Sequence, residues 1–422
     1  MITYDMAKTP IVNVVDDIIA TASKKGASDI HFDPRDDELL VRIRIDGDLQ
    51  DFTVIPKIYE RNLITRIKLL ANMNITESRL PQDGSIKGKI KDVNLETRVS
   101  TLPTNEGEKC VIRILDYSKS LEGIDSLGFN ESNLVKLKKM IEEPNGIILV
   151  TGATGSGKST TVYSILQLLN KKQTNIITVE DPIEMNIEGL NQVQVNSEIG
   201  LDFATVLRSI LRQDPNIILI GEIRDSETAK IAVRASITGH LVLSTVHTNN
   251  SLSTIERLLD MNVERYLLSS ALSGIISQKL VKLLCPKCRK LRETTPYEKK
   301  VFKRALNKEV DSIYTASTEG CSDCNNGYHG RIALQEVLMI NDDIRSALNE
   351  EKLEKEDLNK LVYSSDVITL LQDGLIKVLE GYTSFEEVYK AIDVDDDLDI
   401  YCKIRSINCD DVVTEKEVDE IL

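Results

Sequence analysis

Hydrophobic and polar positions along the first part of the chain predict a helix followed by antiparallel strands. Apolar residues recur at helical spacing over residues 11–25, just before a glycine that can cap the helix. The segment ELLVRIRIDGDL alternates as a strand does and turns at Asp46 and Gly47. Two more alternating segments follow, LETRVST and CVIRIL. This pattern predicts an α+β unit over residues 1–115 and a connection over residues 116–130.

The pattern then changes to short, continuous apolar runs separated by helical segments. The runs GIILV, NIITV, NIILI and LVLST have the length and composition of buried strands, and a helix is predicted for residues 158–170. Strands of this kind that alternate with helices form a parallel sheet covered on both faces. We therefore predict an α/β core over residues 131–284. Helical patterns extend over residues 336–392, and an acidic tail occupies residues 393–422.

A glycine-rich segment between the first of these strands and its helix has the pattern of a phosphate-binding loop. GATGSGKS, residues 152–159, matches G-x-x-x-x-G-K-[ST]. Glycines let backbone N–H groups turn toward phosphate oxygens, Lys158 adds a positive charge, and the Ser159 hydroxyl can ligate Mg²⁺. We therefore predict that the chain binds ATP and Mg²⁺. The predicted nucleotide ligands are Gly152, Thr154, Gly155, Ser156, Gly157, Lys158, Ser159 and Thr160.

Side chains capable of acid–base chemistry follow the other predicted strands. Ligands of an open parallel sheet bind beyond the carboxyl ends of its strands, where this chain has Glu180, Glu222 and His247. Gly221 stands where many ATPases have a metal-binding aspartate. We predict that Glu222 activates the attacking water, that Glu180 steers the water shell of the metal, and that His247 contacts the γ-phosphate. The alternatives are an ion pair of Glu222 with Arg224 and a structural role for His247.

Four of the seven cysteines form two C-x-x-C pairs, Cys285 with Cys288 and Cys321 with Cys324. Four thiolates make a closed tetrahedral site suited to structural Zn²⁺, and a charged helical segment can fill the interval between the pairs. We predict a zinc-binding subdomain over residues 285–335. The alternative is two reduced pairs without a metal.

Charge and composition limit the classes of partner. The 422 residues include 67 acidic and 52 basic side chains, a net charge of −15, and only 4% aromatic residues. Because nucleic-acid surfaces need basic patches and often aromatic platforms, we expect no direct nucleic-acid partner. The chain has neither a signal-peptide pattern nor an apolar run of about 18 residues that would span a membrane. A cytoplasmic protein is therefore expected.

The motifs together resemble those of one family. GATGSGKSTT, ITVEDPIE, DPNIILIGEIRD and GHLVLSTVHTN are similar to the Walker A, Asp, Walker B and His boxes of the type II/type IV secretion ATPase superfamily. ASDIHFDP, SRLPQDGSI and RVSTLPTNEGEKCVIRIL resemble the PAS-like domain that precedes the motor, and LEGYTSFEEVYKAI resembles the C-terminal signature. The four cysteines resemble the tetracysteine subdomain of the type IV pilus assembly and type II secretion branch, which retraction motors characteristically lack.

The resemblance implies a PAS-like domain, a RecA-like P-loop ATPase core and a homo-hexamer that associates peripherally with the cytoplasmic face of the membrane. It implies that Glu222 is catalytic and that arginines of the N-terminal domain approach the phosphates. By motif position these arginines are Arg79, Arg98 and Arg113, for which salt bridging is the alternative.

The implied function is a motor that hydrolyses ATP to drive assembly of pilin-like subunits through a polytopic inner-membrane platform protein. The alternatives are a DNA-uptake or pilus-retraction motor of the same superfamily and a nucleotide-sensing scaffold without turnover. A RecA-like nucleic-acid helicase is disfavoured by the acidic charge.

Overall fold

The chain divides into two units, Met1–Tyr117 and Ser118–Leu422. The computed structural model describes residues 2–6, 8–115, 123–350, 355–364 and 366–394. Part of the predicted connection, residues 116–122, and most of the predicted acidic tail, residues 395–422, lie outside the described residues.

The first unit is an antiparallel sheet packed against two helices. The helices are α1 (Ile11–Lys24) and α2 (Glu60–Leu70), and the strands are β1 (Asp29–Pro34), β2 (Glu38–Ile45), β3 (Asp48–Pro56), β4 (Gln82–Ile90), β5 (Val93–Thr104) and β6 (Gly107–Ile114). The sheet order is β3-β2-β1-β6-β5-β4. Ile18 of α1 and Ile67 of α2 are fully buried in one apolar core with Ile30 and Phe32 of β1. The alternation of apolar residues along these strands follows from this one-sided packing.

The predicted turn between β2 and β3 is confirmed. Asp46 and Gly47 both have positive φ angles, 50° and 95°. Two consecutive positive φ values are the requirement of the tight hairpin turn that Asp-Gly sequences favour.

The second unit contains a larger sheet with helices between its strands. Its strands are β7 (Gly146–Thr151), β8 (Ile176–Glu180), β9 (Asn191–Gln194), β10 (Ile217–Ile220), β11 (Leu241–Val246), β12 (Leu272–Leu284), β13 (Lys290–Glu293), β14 (Ser312–Thr315) and β15 (Tyr328–Met339). Its helices are α3 (Glu131–Glu142), α4 (Lys158–Leu169), α5 (Phe203–Ile210), α6 (Ser226–Ile237), α7 (Ser251–Asp260), α8 (Arg265–Ala271), α9 (Pro296–Leu306), α10 (Asp342–Leu348), α11 (Lys355–Ser364), α12 (Leu370–Leu379) and α13 (Phe385–Ala391). The second unit is therefore a mixed α/β fold.

The main sheet of the second unit has the order β15-β12-β7-β11-β10-β8-β9. Every pairing within it is parallel except that of β15 with β12. All residues of β7, β10 and β11 are buried, as expected for parallel strands covered on both faces. The predicted buried parallel strands are confirmed, and their carboxyl ends lie at one edge of the sheet.

The structure differs from the sequence prediction at the cysteine segment. The chain leaves the sheet through β12, forms the cysteine pairs, α9 and the antiparallel ribbon of β13 with β14, and returns through β15 beside β12. The sheet is therefore mixed rather than parallel throughout, because β12 and β15 run in opposite directions. The last strand also continues to Met339, past the start predicted for the helical region.

No helix among the described residues is both long enough and apolar enough to cross a membrane.

Candidate active site

The phosphate-binding loop follows β7 and closes on the first residue of α4. Gly152, Gly155 and Gly157 have positive φ angles of 148°, 81° and 90°. A Cβ atom on Gly152 would lie 2.4 Å from the carbonyl oxygen of Gln278, so this position admits only glycine. The Lys158 ammonium donates to the carbonyl oxygens of Gly152 (2.8 Å) and Ala153 (3.0 Å). Lys158 is thus held within the curve of the loop.

The predicted nucleotide ligands differ in their access to solvent. Thr154, Gly155 and Ser159 are exposed, whereas Gly152, Ser156 and Lys158 are buried, and Gly157 and Thr160 are half-buried. The buried Ser156 hydroxyl has no hydrogen-bond partner among the described residues. Buried polar groups normally have partners, so an unpaired hydroxyl in a phosphate-binding loop points to a ligand. Burial lowers the pKa of Lys158, and the negative charge of Glu222 opposes this shift.

Gln278 of β12 fastens the loop, although no sequence motif pointed to it. Its amide nitrogen donates to the Ser156 carbonyl (2.7 Å), and its amide oxygen accepts from the Thr161 hydroxyl (2.9 Å). The side chain is only 1% exposed. The sequence does show a glutamine inside an apolar strand, and such a residue can be expected to have a structural partner because a buried amide must be hydrogen-bonded. Its partners are not predictable without the topology.

Glu222 lies at the end of β10 beside Arg224 and His247. One carboxylate oxygen forms an ion pair with Arg224, and the other lies 3.5 Å from His247 Nε2 and accepts no hydrogen bond from any described residue. The side chain is 12% exposed. The hydrogen bond between Glu222 and Arg224 raises the pKa of Arg224. The ion pair with Arg224 therefore exists, and it leaves one carboxylate oxygen available for a ligand.

Gly221 explains how β10 ends so close to β8. Its N–H donates to the Val179 carbonyl at 2.8 Å, and its own carbonyl accepts from the Thr245 hydroxyl at 2.7 Å. A Cβ atom there would lie 3.3 Å from both Glu180 Cα and the Val179 oxygen. An aspartate at this position would crowd β8, whereas glycine leaves the space open.

Glu180 is buried at the end of β8 and is engaged by side chains on both of its carboxylate oxygens. One oxygen accepts from the Tyr163 hydroxyl, and the other accepts from the Thr178 hydroxyl (2.5 Å) and the Gln192 amide (3.1 Å). Burial and the charge of Glu180 raise the pKa of Tyr163. The Tyr163 hydroxyl also accepts the Glu184 N–H at 3.1 Å. Glu180 therefore organises the turn after β8 from within the protein.

His247 stands on the turn between β11 and α7. Its side chain is 52% exposed. Burial and the charge of Lys158 lower its pKa below the ordinary value. The turn is attached to the end of β7, because the Thr151 hydroxyl donates to the Thr248 carbonyl at 2.7 Å and accepts the Thr248 N–H at 3.1 Å. The structure thus brings His247, Glu222 and the phosphate-binding loop to one edge of the sheet.

The three predicted arginines belong to the first unit, where Arg79 and Arg113 form ion pairs. Arg79 is 86% exposed and pairs with Glu77 at 2.8 Å. Arg113 pairs with Asp29 at 2.9 Å, and Arg98 stands opposite Arg113 in the pairing of β5 with β6. Salt bridging therefore occurs within this unit, and contact with the phosphates stays a prediction.

The four predicted cysteines come together. Their sulfur atoms all lie within 4.8 Å of one another. The sulfur atoms of Cys285 and Cys321 are 3.7 Å apart, those of Cys288 and Cys324 are 3.6 Å apart, and those of Cys321 and Cys324 are 3.5 Å apart. Close sulfur contacts therefore occur both between the two C-x-x-C pairs and within the second pair. A cluster of four thiols is the donor set of a closed tetrahedral zinc site.

A sequence profile of the type II/IV secretion system protein family matches residues 5–390. The chain belongs to this family. The putative type II secretion system protein E of Escherichia coli K12 is 44% identical over 384 residues, which cover 90% of this chain and 77% of that protein. The type II secretion system ATPase E of Vibrio cholerae is 43% identical over 383 residues, covering 90% of this chain and 75% of that protein. The assignment to the secretion ATPase superfamily from the sequence motifs is confirmed.

Solved structures of the same class share the fold. The pilus retraction motor PilT with bound ADP matches with a TM-score of 0.61 and 28% identity, covering 89% of this chain and 96% of that one. The ATPase DotB of Legionella pneumophila matches with a TM-score of 0.66 and 20% identity, covering 91% and 96%.

Proposed function

We propose that this chain is the motor ATPase of a type II secretion or type IV pilus assembly machine. It hydrolyses ATP to drive assembly of pilin-like subunits through a polytopic inner-membrane platform protein. The observation that carries this proposal is Glu222, whose unpaired carboxylate oxygen lies at the sheet edge that also bears the phosphate-binding loop. Relatives named as type II secretion proteins, 43–44% identical to this chain, support the secretion branch.

The proposed chemistry assigns a separate task to each group at the edge. The loop binds the phosphates of ATP, Lys158 neutralises charge on the β and γ phosphates, and the Ser159 hydroxyl holds Mg²⁺. The exposed Ser159 hydroxyl and the unpaired Ser156 hydroxyl fit this ligand set. When bound, Mg²⁺ would stabilise the negative charge that develops on the phosphate oxygens of the departing ADP.

Glu222 orients and activates the attacking water through its unpaired oxygen, and Arg224 holds the other oxygen in place. The water oxygen attacks the γ-phosphorus, a water proton passes to Glu222, the bond to the ADP oxygen breaks, and ADP and inorganic phosphate leave. His247 contacts the γ-phosphate from its turn. Glu180 steers the metal's surroundings indirectly, because both of its oxygens hold neighbouring side chains in place.

The cysteine cluster is proposed to hold one structural Zn²⁺ through Cys285, Cys288, Cys321 and Cys324. Four sulfur ligands leave no open coordination position, so this zinc has no part in hydrolysis. Since β12 ends at the first cysteine pair and β15 begins after the second, the metal would fix the far end of this strand pair.

The proposed assembly is a homo-hexamer at the cytoplasmic face of the membrane. Each subunit would consist of a PAS-like first unit and a RecA-like second unit. Arg79, Arg98 and Arg113 reach the phosphates when the two units close on each other. A guanidinium group carried by a moving unit couples loss of the γ-phosphate to rotation.

The proposal is tested in a strain that lacks this protein. The wild-type chain is expected to restore protein secretion or surface filaments, whereas Glu222→Gln is expected to restore neither, because it binds ATP without turnover. If the strain that lacks this protein loses DNA uptake or filament retraction but keeps secretion and filament assembly, the assignment to the assembly branch is contradicted. Restoration of secretion or filaments by Glu222→Gln would contradict the motor role.

A further inference from the structure

Glu336 is a buried carboxylate that the proposed chemistry does not use. It lies on β15 and is 2% exposed. One carboxylate oxygen accepts the backbone N–H of Ser251, the first residue of α7, at 3.0 Å. Burial raises the pKa of Glu336. A buried carboxyl group is costly to the fold unless it is hydrogen-bonded, and here the bond goes to a helix start that an apolar side chain could not hold in this way.

The position of Glu336 in the sheet links it to the catalytic edge. Ser277 of β12 stands opposite Glu336 on one side and opposite Thr151 of β7 on the other. The Ser277 hydroxyl lies 3.2 Å from the Ser251 hydroxyl. The start of α7 is therefore attached to both β12 and β15 at the level where β7 enters the phosphate-binding loop.

The same helix start holds the turn that carries His247. The Thr248 hydroxyl lies 2.6 Å from the Thr254 hydroxyl, which donates to the Asn250 carbonyl at 2.9 Å. The other attachment of the turn is Thr151. Displacement of the first turn of α7 would therefore move Thr248 and, with it, the neighbouring His247.

We propose that Glu336 is a positioning residue for ATP hydrolysis. Its carboxylate holds the first turn of α7, and through this turn it sets the place of His247 beside Glu222. This assignment rests on the proposed function, because it assumes that His247 acts on the γ-phosphate.

The test compares steady-state phosphate release and ATP affinity for the wild type, Glu336→Ala, Glu336→Gln, His247→Ala and the double variant Glu336→Ala/His247→Ala. Glu336→Ala is expected to lower kcat by about tenfold or more with little change in ATP affinity, since a displacement of about 1 Å can cost about a hundredfold. Glu336→Gln is expected to restore turnover, because its amide oxygen can accept the Ser251 N–H. The double variant is expected to match His247→Ala, because both changes act through one group.

Glu143→Ala is the matched control. Like Glu336, Glu143 accepts a hydrogen bond from a serine, but from the hydroxyl of Ser273 on β12 at 2.5 Å, near the start of β7 rather than at its end. If Glu336→Ala does not fold, Ser251→Pro tests the same contact. Proline is tolerated at the first helical position, and the change removes both the N–H that Glu336 accepts and the hydroxyl that lies near Ser277. The same loss of kcat is expected for it.

Additive effects of Glu336→Ala and His247→Ala, or equal kcat values for Glu336→Ala and Glu143→Ala, would overturn the assignment. These results leave the proposed function standing as long as wild-type protein releases phosphate and Glu222→Gln does not. If wild-type protein does not hydrolyse ATP, the proposed function and the role of Glu336 fail together.

Discussion

Replacement of Gln278 by methionine should loosen the phosphate-binding loop without leaving a cavity in the core. Methionine has about the volume of glutamine and fills the same space, so the change removes polar contacts rather than packing. The two contacts removed are those with the Ser156 carbonyl and the Thr161 hydroxyl.

The magnitude follows from what each partner loses. Thr161 lies in α4, where a threonine hydroxyl can turn to a carbonyl of the preceding turn, so its net loss is about 1 kcal/mol. The Ser156 carbonyl has no comparable substitute in its buried loop, and leaving it unpaired costs about 1–3 kcal/mol. The expected loss of unfolding free energy is therefore about 2–4 kcal/mol. If about 1–2 kcal/mol of this falls on the ordering of the loop, ATP binds roughly five- to thirtyfold more weakly, because only the ordered loop is competent.

The assay is equilibrium titration with a fluorescent ATP analogue, combined with urea unfolding. Gln372→Met is the matched control, because the amide of Gln372 on α12 donates to the carbonyl of Ala305 on α9 at 2.9 Å, away from the loop. The control should lose stability and keep its ATP affinity. If Gln278→Met loses stability but binds ATP as tightly as the wild type, the proposed role of Gln278 in holding the loop is refuted.

Three further predictions concern other groups of the second unit. Tyr163→Phe removes a hydrogen bond to the buried Glu180 carboxylate, so the unfolding free energy from urea titration should fall by about 1.5–3 kcal/mol; an unchanged value would show that this contact contributes nothing. Removal of Zn²⁺ with a chelator should lower the melting temperature of the wild type but not of a variant with all four clustered cysteines replaced by serine; equal shifts, or metal analysis without zinc, would count against the site. Burial and the charge of Lys158 lower the pKa of His247 below the ordinary 6.5, so its ring should gain a proton at lower pH than a free imidazole does. An NMR titration, assigned with His247→Gln among the four histidines, should give a midpoint below that value, and a midpoint above it would show that the carboxylate of Glu222 dominates.

The local parts of the fold were accessible from the sequence. A parallel strand covered on both faces must be apolar throughout, which made β7, β10 and β11 visible as continuous runs. The phosphate-binding loop was also accessible, because its glycines and its lysine act within a few residues of one another. The four cysteines were also identifiable, since two thiol pairs at ligand spacing are typical of a metal site.

The parts that depend on distant contacts were not accessible. Gln278 contacts a loop residue 122 positions away, and Glu336 contacts a helix 85 positions away. Neither has a local pattern that identifies its partner. The strand β9 reads as polar sequence, NQVQ, and becomes a strand by pairing at the edge of the sheet. Its existence depends on tertiary context rather than on its own propensity.

The partner of Arg113 was likewise not predictable from the sequence, because it depends on a distant contact. Arg113 forms an ion pair with Asp29, 84 positions away, across β6 and β1. The sequence left ion pairing and phosphate contact as alternatives because both use the same guanidinium geometry.

The central claim is that Glu222 activates the water that attacks ATP. The direct measurement is phosphate release by purified protein, wild type against Glu222→Gln, with ATP affinity determined for both. Glutamine has the same shape as glutamate but cannot take a proton from water, so turnover should fall by about a hundredfold or more while ATP still binds. Equal rates of phosphate release by the two proteins would contradict the claim.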